Sequence, residues 1–115
     1  MKAKHENMSS KSMFYVFVDV GKDDTSQVSF FVIPSKIVAD ICRRSHECWL
    51  ETPSSKGTER GKTDMRRLLP KYDLPAYVKK RGYQPTPSHQ KFLKQYGQGW
   101  IEKYRNAWNL IAHSV

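Results

Sequence analysis

The sequence predicts a small α+β domain, in which an antiparallel sheet built on a central hairpin is covered by one long helix and short C-terminal helices. Two runs rich in β-branched and aromatic residues, 14–20 and 28–33, flank the polar insert 21–27, which is typical of a hairpin. Apolar residues then recur at helical spacing over 36–50, and proline and glycine punctuate the remainder of the chain.

The first strand of the hairpin lacks polar alternation, because apolar residues follow one another from Phe14 to Val18. We therefore expect this strand to be covered on both faces and to be central in its sheet. A two-stranded ribbon is marginal in water, so the helix that follows should cover it. Pro34 ends the second strand, and Ser35 offers an N-cap for that helix. The apolar stripe of the helix consists of Ile37, Val38, Ile41, Cys42, Cys48 and Trp49.

Helix punctuation organises the C-terminal part of the chain. Pro75 and Gly82 bracket one short helix, and Thr86 with Gly97 bracket a second. A last helix over 100–112 would place Trp100, Tyr104, Trp108 and Ile111 on one stripe. The segment 64–69 is compatible with an edge strand or with one helical turn.

The charge of the chain indicates an anionic partner. Twenty Lys and Arg residues against eleven Asp and Glu residues give a net charge of +9 over 115 residues, and the pI is 9.7. Such a surplus attracts polyanions, with nucleic acid ahead of an anionic membrane or an acidic protein surface. A solvated basic surface without a partner would have the same composition.

Length and patterning limit the domain organisation and the location. At this length the chain is one domain at most, with a flexible lead-in expected at 1–12 and a single domain at 13–115. No apolar run approaches the ~18 residues of a membrane span, and no apolar h-region precedes the first strand. We therefore expect no membrane segment, no signal peptide and a cytoplasmic location.

The two cysteines are expected to be reduced. Cys42 and Cys48 lie six apart on one predicted helix, on different faces, so they should not bridge each other. Cys42 and His46 are four apart and could form half of a metal site, but no second Cys/His pair has ligand spacing. The sequence therefore predicts no metal and no cofactor.

Cations with phosphate-binding potential fall in two parts of the chain. The loop 52–63 is basic and carries two glycines, so it could lay backbone N–H groups and cations on phosphate, or it could be a solvated linker. Over 71–105, basic and aromatic residues interleave as on a nucleic-acid surface, although aromatics at helical spacing also suit a core. The predicted nucleic-acid-binding residues are Lys56, Arg60, Lys62, Arg66, Arg67, Lys79, Lys80, Arg81, Lys91 and Lys94.

No catalytic constellation is recognisable in the sequence. Metal-dependent phosphodiester hydrolysis needs clustered carboxylates, whereas the acids here are scattered and no GxSxG elbow is present. Asp19 interrupts an apolar strand and would need a partner if it were buried. We therefore predict no catalytic residue. Whether the protein is an enzyme stays open at this point, although the sequence favours a protein without enzymatic activity.

Several short phrases recur in the order of a known family. FYVFVDV, a polar loop, FFVIPSKIVADI, SHECWLETP, a Gly-rich basic loop and DMRRL are followed near the end by Trp108, Asn109, Leu110 and Ile111. This order resembles the C-terminal part of bacterial proteins related to the PD-(D/E)XK nucleases, over 14–67 and the last ten residues. The resemblance implies an association with nucleic acid.

The resemblance does not extend to the catalytic motif of that family. Its metal-binding acid and its (D/E)-x-K pair precede the FYVFVDL phrase, whereas thirteen residues precede it here. In addition, no acidic residue of this chain has Lys two positions later. The resemblance therefore transfers no catalytic residue to this sequence.

Two hypotheses follow. The first is a nucleic-acid-associated protein that resembles the C-terminal half of a PD-(D/E)XK-type nuclease without its active site. The alternative is a small protein-interaction module, an inhibitor or an assembly subunit, that binds an acidic protein surface. A protein partner that supplies missing strands, or a homodimer formed through a sheet edge, is compatible with either hypothesis.

Overall fold

The computed structural model describes residues 1–20, 28–56, 60 and 63–112, and it confirms the predicted α+β class. The elements are β1 (Phe14–Asp19), β2 (Ser29–Pro34), α1 (Ser35–Glu51), α2 (Ala76–Lys80), α3 (Pro87–Gln95) and α4 (Asn109–Ala112), with 3₁₀ helices at Ala3–Glu6 and Glu102–Tyr104. β1 and β2 form a two-stranded antiparallel sheet. Within the described ranges, no helix combines the length and the apolar character needed to cross a bilayer.

Strand β1 has one packed face and one open face. Tyr15 lies opposite Ile33 in the register, and both side chains belong to the core side of the sheet. On the other face, Val16 and Val18 are 44% and 54% exposed. The expectation that the first strand is central and covered on both faces is therefore wrong, because α1 covers one face only and the described residues pair β1 with β2 alone.

Helix α1 covers the packed face of the sheet as its apolar stripe predicts. Val38, Ile41 and Cys42 are fully buried against it. The helix begins at Ser35 itself, and the N-cap is Pro34, without a side-chain cap. Ser35 therefore does not cap the helix as expected, since its hydroxyl donates to the Ser10 carbonyl at 2.9 Å.

A chain of aromatic rings extends the core from α3 towards the C-terminus. Successive ring centroids lie 5.0 Å apart for Tyr72 and Phe92, 5.3 Å for Phe92 and Tyr96, and 5.3 Å for Tyr96 and Trp100. The rings meet edge-on or tilted, the arrangements that aromatic quadrupoles favour. These contacts pack α3 against Tyr72 and against the segment that follows the helix.

The predicted single helix over 100–112 is wrong. The chain forms the short 3₁₀ helix, turns at Asn106 with φ of 51°, and only then enters α4. The turn lies against β2: Asn106 N–H donates to the Phe30 carbonyl at 2.8 Å, and Arg105 forms an antiparallel bridge with Phe31. Backbone pairing with the second strand thus interrupts the helical pattern, and Trp108 is left 46% exposed.

The N-terminal segment pairs with residues far along the chain. Ala3 N–H donates to the Asp64 carbonyl, and Arg66 N–H donates to the Met1 carbonyl, both at 2.8 Å. Met65 forms an isolated antiparallel bridge with Lys2, so 64–66 is extended rather than a helical turn. The flexibility of residues 1–12 stays a prediction. The contacts of residues 1–3 are those given above.

Candidate functional site

The predicted nucleic-acid-binding residues fall into two groups in the structure. Lys62 lies outside the described residues. Internal hydrogen bonds or ion pairs engage the side chains of Arg60, Arg66, Lys79 and Arg81. Exposed side chains with neither an ion pair nor a side-chain hydrogen bond within the described part of the chain are those of Lys56, Arg67, Lys80, Lys91 and Lys94.

Two arginines fix the start of the basic loop. Arg60 Nε donates to the Thr52 carbonyl at 2.8 Å. Arg81 donates through Nη1 to the Ser54 carbonyl at 3.0 Å and through Nη2 to the Ser55 carbonyl at 2.9 Å. A guanidinium matches two neighbouring carbonyl oxygens because its donors form a rigid fork. The loop start is therefore held against the C-terminal end of α2.

Arg66 lies in the interior rather than on the surface where its predicted role would need it. Its side chain is 8% exposed, and its Nε donates to Glu6 Oε1 at 2.9 Å. Its Nη1 donates to the Thr63 and Met65 carbonyls at 2.6 and 3.0 Å. Arg66 thus joins the N-terminal segment to the extended segment at 64–66.

A cavity of about 480 Å³ lies between α1, the segment 60–75 and α3. Its apolar walls include Trp49, Leu69, Leu74, Phe92 and Leu93. Its charged and titratable lining comprises Arg60, Arg66, Arg67, Asp73, His46, His89, Cys48 and Tyr72. The cavity therefore combines an apolar interior with guanidinium groups.

Burial keeps both histidines and the cysteine of the cavity uncharged, whereas Asp73 stays ionised. It lowers the pKa of His89, and together with the nearby charge of Arg66 it lowers the pKa of His46, so both rings are neutral at pH 7. Burial also raises the pKa of Cys48 to about 11, which keeps this thiol protonated. A hydrogen bond from the Leu74 N–H, with Lys79 nearby, lowers the pKa of Asp73 and keeps it ionised.

His89 has an unpaired ring nitrogen. The residue is 4% exposed, and its Nδ1 has no hydrogen-bond partner among the residues that the structure describes. Its backbone N–H donates to Thr86 Oγ1 at 3.2 Å, which caps α3. The backbone of His89 is therefore held in place, while the Nδ1 atom of its ring has no hydrogen-bond partner among the described residues.

No group of three metal-ligating side chains forms within the described ranges. Cys42 Sγ contacts Met1 Sδ at 3.7 Å, and His46 stacks on Trp49 with centroids 5.6 Å apart. No three His, Cys, Asp or Glu side chains converge there as metal ligands would. Asp19 is exposed, so its carboxylate does not carry the cost of burial that the sequence raised as a possibility.

Comparisons of the chain with protein-family models, with curated proteins and with solved structures find no match. The resemblance to PD-(D/E)XK nucleases therefore stays a prediction from sequence phrases. A function for this chain is inferred from its own residues.

The cavity is the feature that sequence reasoning missed. Its lining comes from three separate segments, 45–52, 60–75 and 89–93, which converge only in the folded chain. The one local signal was the mixture of arginine and leucine over 66–69, which we interpreted as an undecided strand or helical turn.

Proposed function

We propose that this protein binds nucleic acid through exposed cations that have no acidic partner among the described residues. Most of the acids in the described ranges are already paired with a cation: Glu6 with Arg66, Asp40 with Arg43 and Arg44, Asp64 with Lys2, Asp73 with Lys79, and Glu102 with Arg105. Lys and Arg outnumber Asp and Glu by nine in the chain, so cations without an ion pair in the described ranges are available to an external anion. This distribution is the observation that supports the proposal.

The loop start and α2 supply one defined part of that surface. Lys56 follows Ser55, and Lys80 precedes Arg81, so each lysine is one residue from the Ser55–Arg81 hydrogen bond. This bond joins the two backbone segments that carry these lysines, and the proposal is that both ammonium groups reach the same nucleic-acid strand. We call Lys56 and Lys80 the basic pair. A fixed backbone beneath such cations lets them contact phosphates with less loss of conformational entropy.

The proposal is tested by the salt dependence of DNA binding. Fluorescence anisotropy would follow labelled single-stranded and duplex DNA between about 50 and about 200 mM salt. The double variant Lys56→Gln/Lys80→Gln should bind more weakly, with a salt slope shallower by about 2, or about 1 for each lost phosphate contact. The matched control is Lys11→Gln/Lys36→Gln, which removes the same charge from exposed positions elsewhere.

Two outcomes would count against this proposal. No binding at the lower salt concentration would reject a nucleic-acid function. Equal losses in the basic-pair variant and in the control would show general attraction to a positive protein rather than a surface at the loop start and α2.

A second candidate function is contact with an acidic protein. The observation that favours it is the open valine face, which consists of Val16, Val18 and Val20 at 44%, 54% and 55% exposure. A protein–protein interface needs an apolar centre as well as charge, whereas contact with the phosphates of DNA needs no apolar centre. Under this proposal, Val16→Ser/Val18→Ser should weaken a protein complex recovered by pull-down and should leave DNA binding unchanged.

The remaining expectations about partners and location belong to these two proposals. β1 has an edge that the described residues leave unpaired, where a partner strand or a second copy would add to the sheet. Light scattering over a range of concentrations distinguishes a homodimer from a monomer. The two buried, free cysteines suit a reducing compartment, consistent with a cytoplasmic location.

A further inference from the structure

The cavity between α1, the segment 60–75 and α3 has the size of a ligand site. Its volume of about 480 Å³ lies within the range of roughly 300–1,000 Å³ that small-molecule sites occupy. Leu69, Leu74 and Leu93 contribute branched apolar side chains, and Trp49 and Phe92 contribute rings. Such walls suit the apolar body of a small molecule rather than a hydrated ion.

The charges that line the cavity do not cancel. Arg66 is paired with Glu6, and Asp73 is paired with Lys79 at 3.5 Å. Arg67 has no ion pair or side-chain hydrogen bond within the described part of the chain. Arg60, the remaining arginine of the lining, donates to two backbone carbonyls and to the Tyr77 hydroxyl, which are uncharged. Among the residues that the structure describes, two positive charges in the lining therefore have no acidic partner.

The backbone that carries Arg67 is held in place. The hydroxyl of Tyr72 donates to the Arg67 carbonyl at 2.8 Å and accepts from the Leu69 N–H at 2.9 Å. Trp100 Nε1 donates to the Leu69 carbonyl at 3.0 Å. These bonds fix the segment 67–69, so the guanidinium of Arg67 extends from an anchored backbone at the side of the cavity.

A second, independent observation marks the same cavity. His89 lines it, is 4% exposed, and has an Nδ1 without a partner among the described residues. Buried side-chain nitrogens are hydrogen-bonded in the large majority of proteins, so an unsatisfied one indicates an atom that a small molecule or a water can pair. An imidazole also suits this role because either nitrogen can donate or accept, according to the tautomer.

We propose that this cavity binds a small organic anion, with its acidic group at Arg67 and its apolar body against Leu69, Leu74 and Leu93. A cation would meet two unbalanced arginines, and a ligand with several phosphates would leave the apolar walls without a contact. A neutral apolar molecule would fill the walls but would leave Arg67 unpaired. The proposal does not depend on nucleic-acid binding, since the basic pair is not part of the cavity lining.

The test compares two ligands that differ only in their charged group. Octanoate and 1-octanol would each be titrated into the ¹⁵N-labelled protein, with amide chemical shifts as the readout. Octanoate should saturate at one equivalent, should shift the amides of Arg67, Leu74 and Leu93, and should bind roughly tenfold or more tightly than octanol, because a guanidinium pairs only with the anion. Equal affinity for both ligands, or shifts confined to other parts of the chain, would overturn the proposal.

Matched variants locate the two halves of the site. Arg67→Gln should weaken octanoate binding roughly tenfold and leave octanol binding unchanged, whereas Lys94→Gln, which removes the same charge outside the lining, should have no effect. Leu74→Trp should abolish the binding of both ligands by filling the cavity, whereas Leu50→Trp, at an exposed position outside the lining, should not. Native-like amide spectra of all four variants are the check on folding.

The same variants separate this proposal from the proposed function. A loss of octanoate binding with normal DNA binding in Leu74→Trp would support two independent sites. Octanoate binding that persists unchanged in both Arg67→Gln and Leu74→Trp would overturn the cavity proposal and leave the DNA proposal intact.

Discussion

The two faces of β1 differ although both carry apolar side chains. Tyr15 and Phe17 pack against the core, whereas Val16 and Val18 between and beyond them are 44% and 54% exposed. Alternation of environment therefore exists without alternation of polarity. The difference shows that an unbroken apolar run does not by itself place a strand at the centre of a sheet. Whether each face is buried depends on which other segments of the chain pack against it.

The packed side owes its order to polar contacts as well as to apolar area. Tyr96 donates its hydroxyl to Asp40 Oδ2 at 2.8 Å, and Arg44 donates to the same oxygen at 2.9 Å. The Arg44 guanidinium also lies 5.4 Å from the centroid of the Phe92 ring. The described residues build no comparable network on the open valine face. Substitutions on the two sides should therefore differ in cost.

The largest difference should come from Phe92→Ala. Phe92 is 1% exposed and contacts the rings of Tyr72 and Tyr96, so truncation leaves a cavity and should lower the free energy of unfolding by about 3–5 kcal/mol. Urea denaturation measures this loss. Val18→Ala on the open face is the control and should cost less than about 1 kcal/mol. Equal costs for the two variants would remove the distinction between the sides.

The reactivity of Cys48 gives the next largest effect. Burial on the packed side raises its pKa from 9.0 to about 11, so at pH 8 its thiolate fraction should be roughly 100-fold lower than that of an ordinary thiol. Iodoacetamide alkylation of a Cys42→Ala variant, followed by mass spectrometry, measures the rate. The same variant in urea is the control. A folded-state rate equal to the unfolded-state rate would contradict this environment.

A smaller effect is expected in the pH dependence of stability. Burial lowers the pKa of His89 below 6.5, so the unfolded chain binds more protons than the folded chain as the pH falls. The stabilisation is fully present above pH 6.5 and is lost as the pH falls through the folded pKa. His89→Phe should flatten the stability profile over this window. Because the pKa of His46 is lowered too, His46 would be replaced both in the reference protein and in the His89→Phe variant, so that the two differ at His89 alone. An unchanged profile would contradict a buried imidazole.

The smallest effect should come from Val16→Thr/Val18→Thr. Both side chains are on the open valine face, so each substitution should change the free energy of unfolding by no more than about 0.5 kcal/mol. Thermal and urea denaturation measure the change. A loss above about 2 kcal/mol would mean that another surface covers this face, in a second copy for example, and a repeat at lower protein concentration would identify that case.

Elements that depend on local chemistry could be predicted from the sequence. Gly82 has φ of 72°, and the N–H groups of Gly82 and Tyr83 donate back to the Lys79 and Val78 carbonyls, which ends α2 where the glycine indicated. The N-cap of α3 could also be predicted, because Thr86 is followed by a proline, which suits the first position of a helix. The two strands, α1, α2 and α3 follow from patterns within a few residues.

Features that depend on distant partners could not be predicted. Arg66 meets Glu6 across 60 residues, and Arg81 meets Ser54 across 27, so their place inside the fold has no local signal. The same reason explains the broken C-terminal helix, since Asn106 turns to pair with Phe30. The cavity is a product of three segments and is invisible before they converge.

The hydrogen bonds of Arg60 and Arg81 have a consequence for proteolysis. Trypsin cleaves after a basic residue whose side chain enters its acidic specificity pocket. The guanidinium groups of Arg60 and Arg81 must leave the carbonyls at 52–55 before they can do so, whereas the ammonium groups of Lys56 and Lys80 are not held by any bond within the described ranges. Limited digestion should therefore cut after the two lysines first, and the delay at the two arginines reports how often the loop start separates from α2.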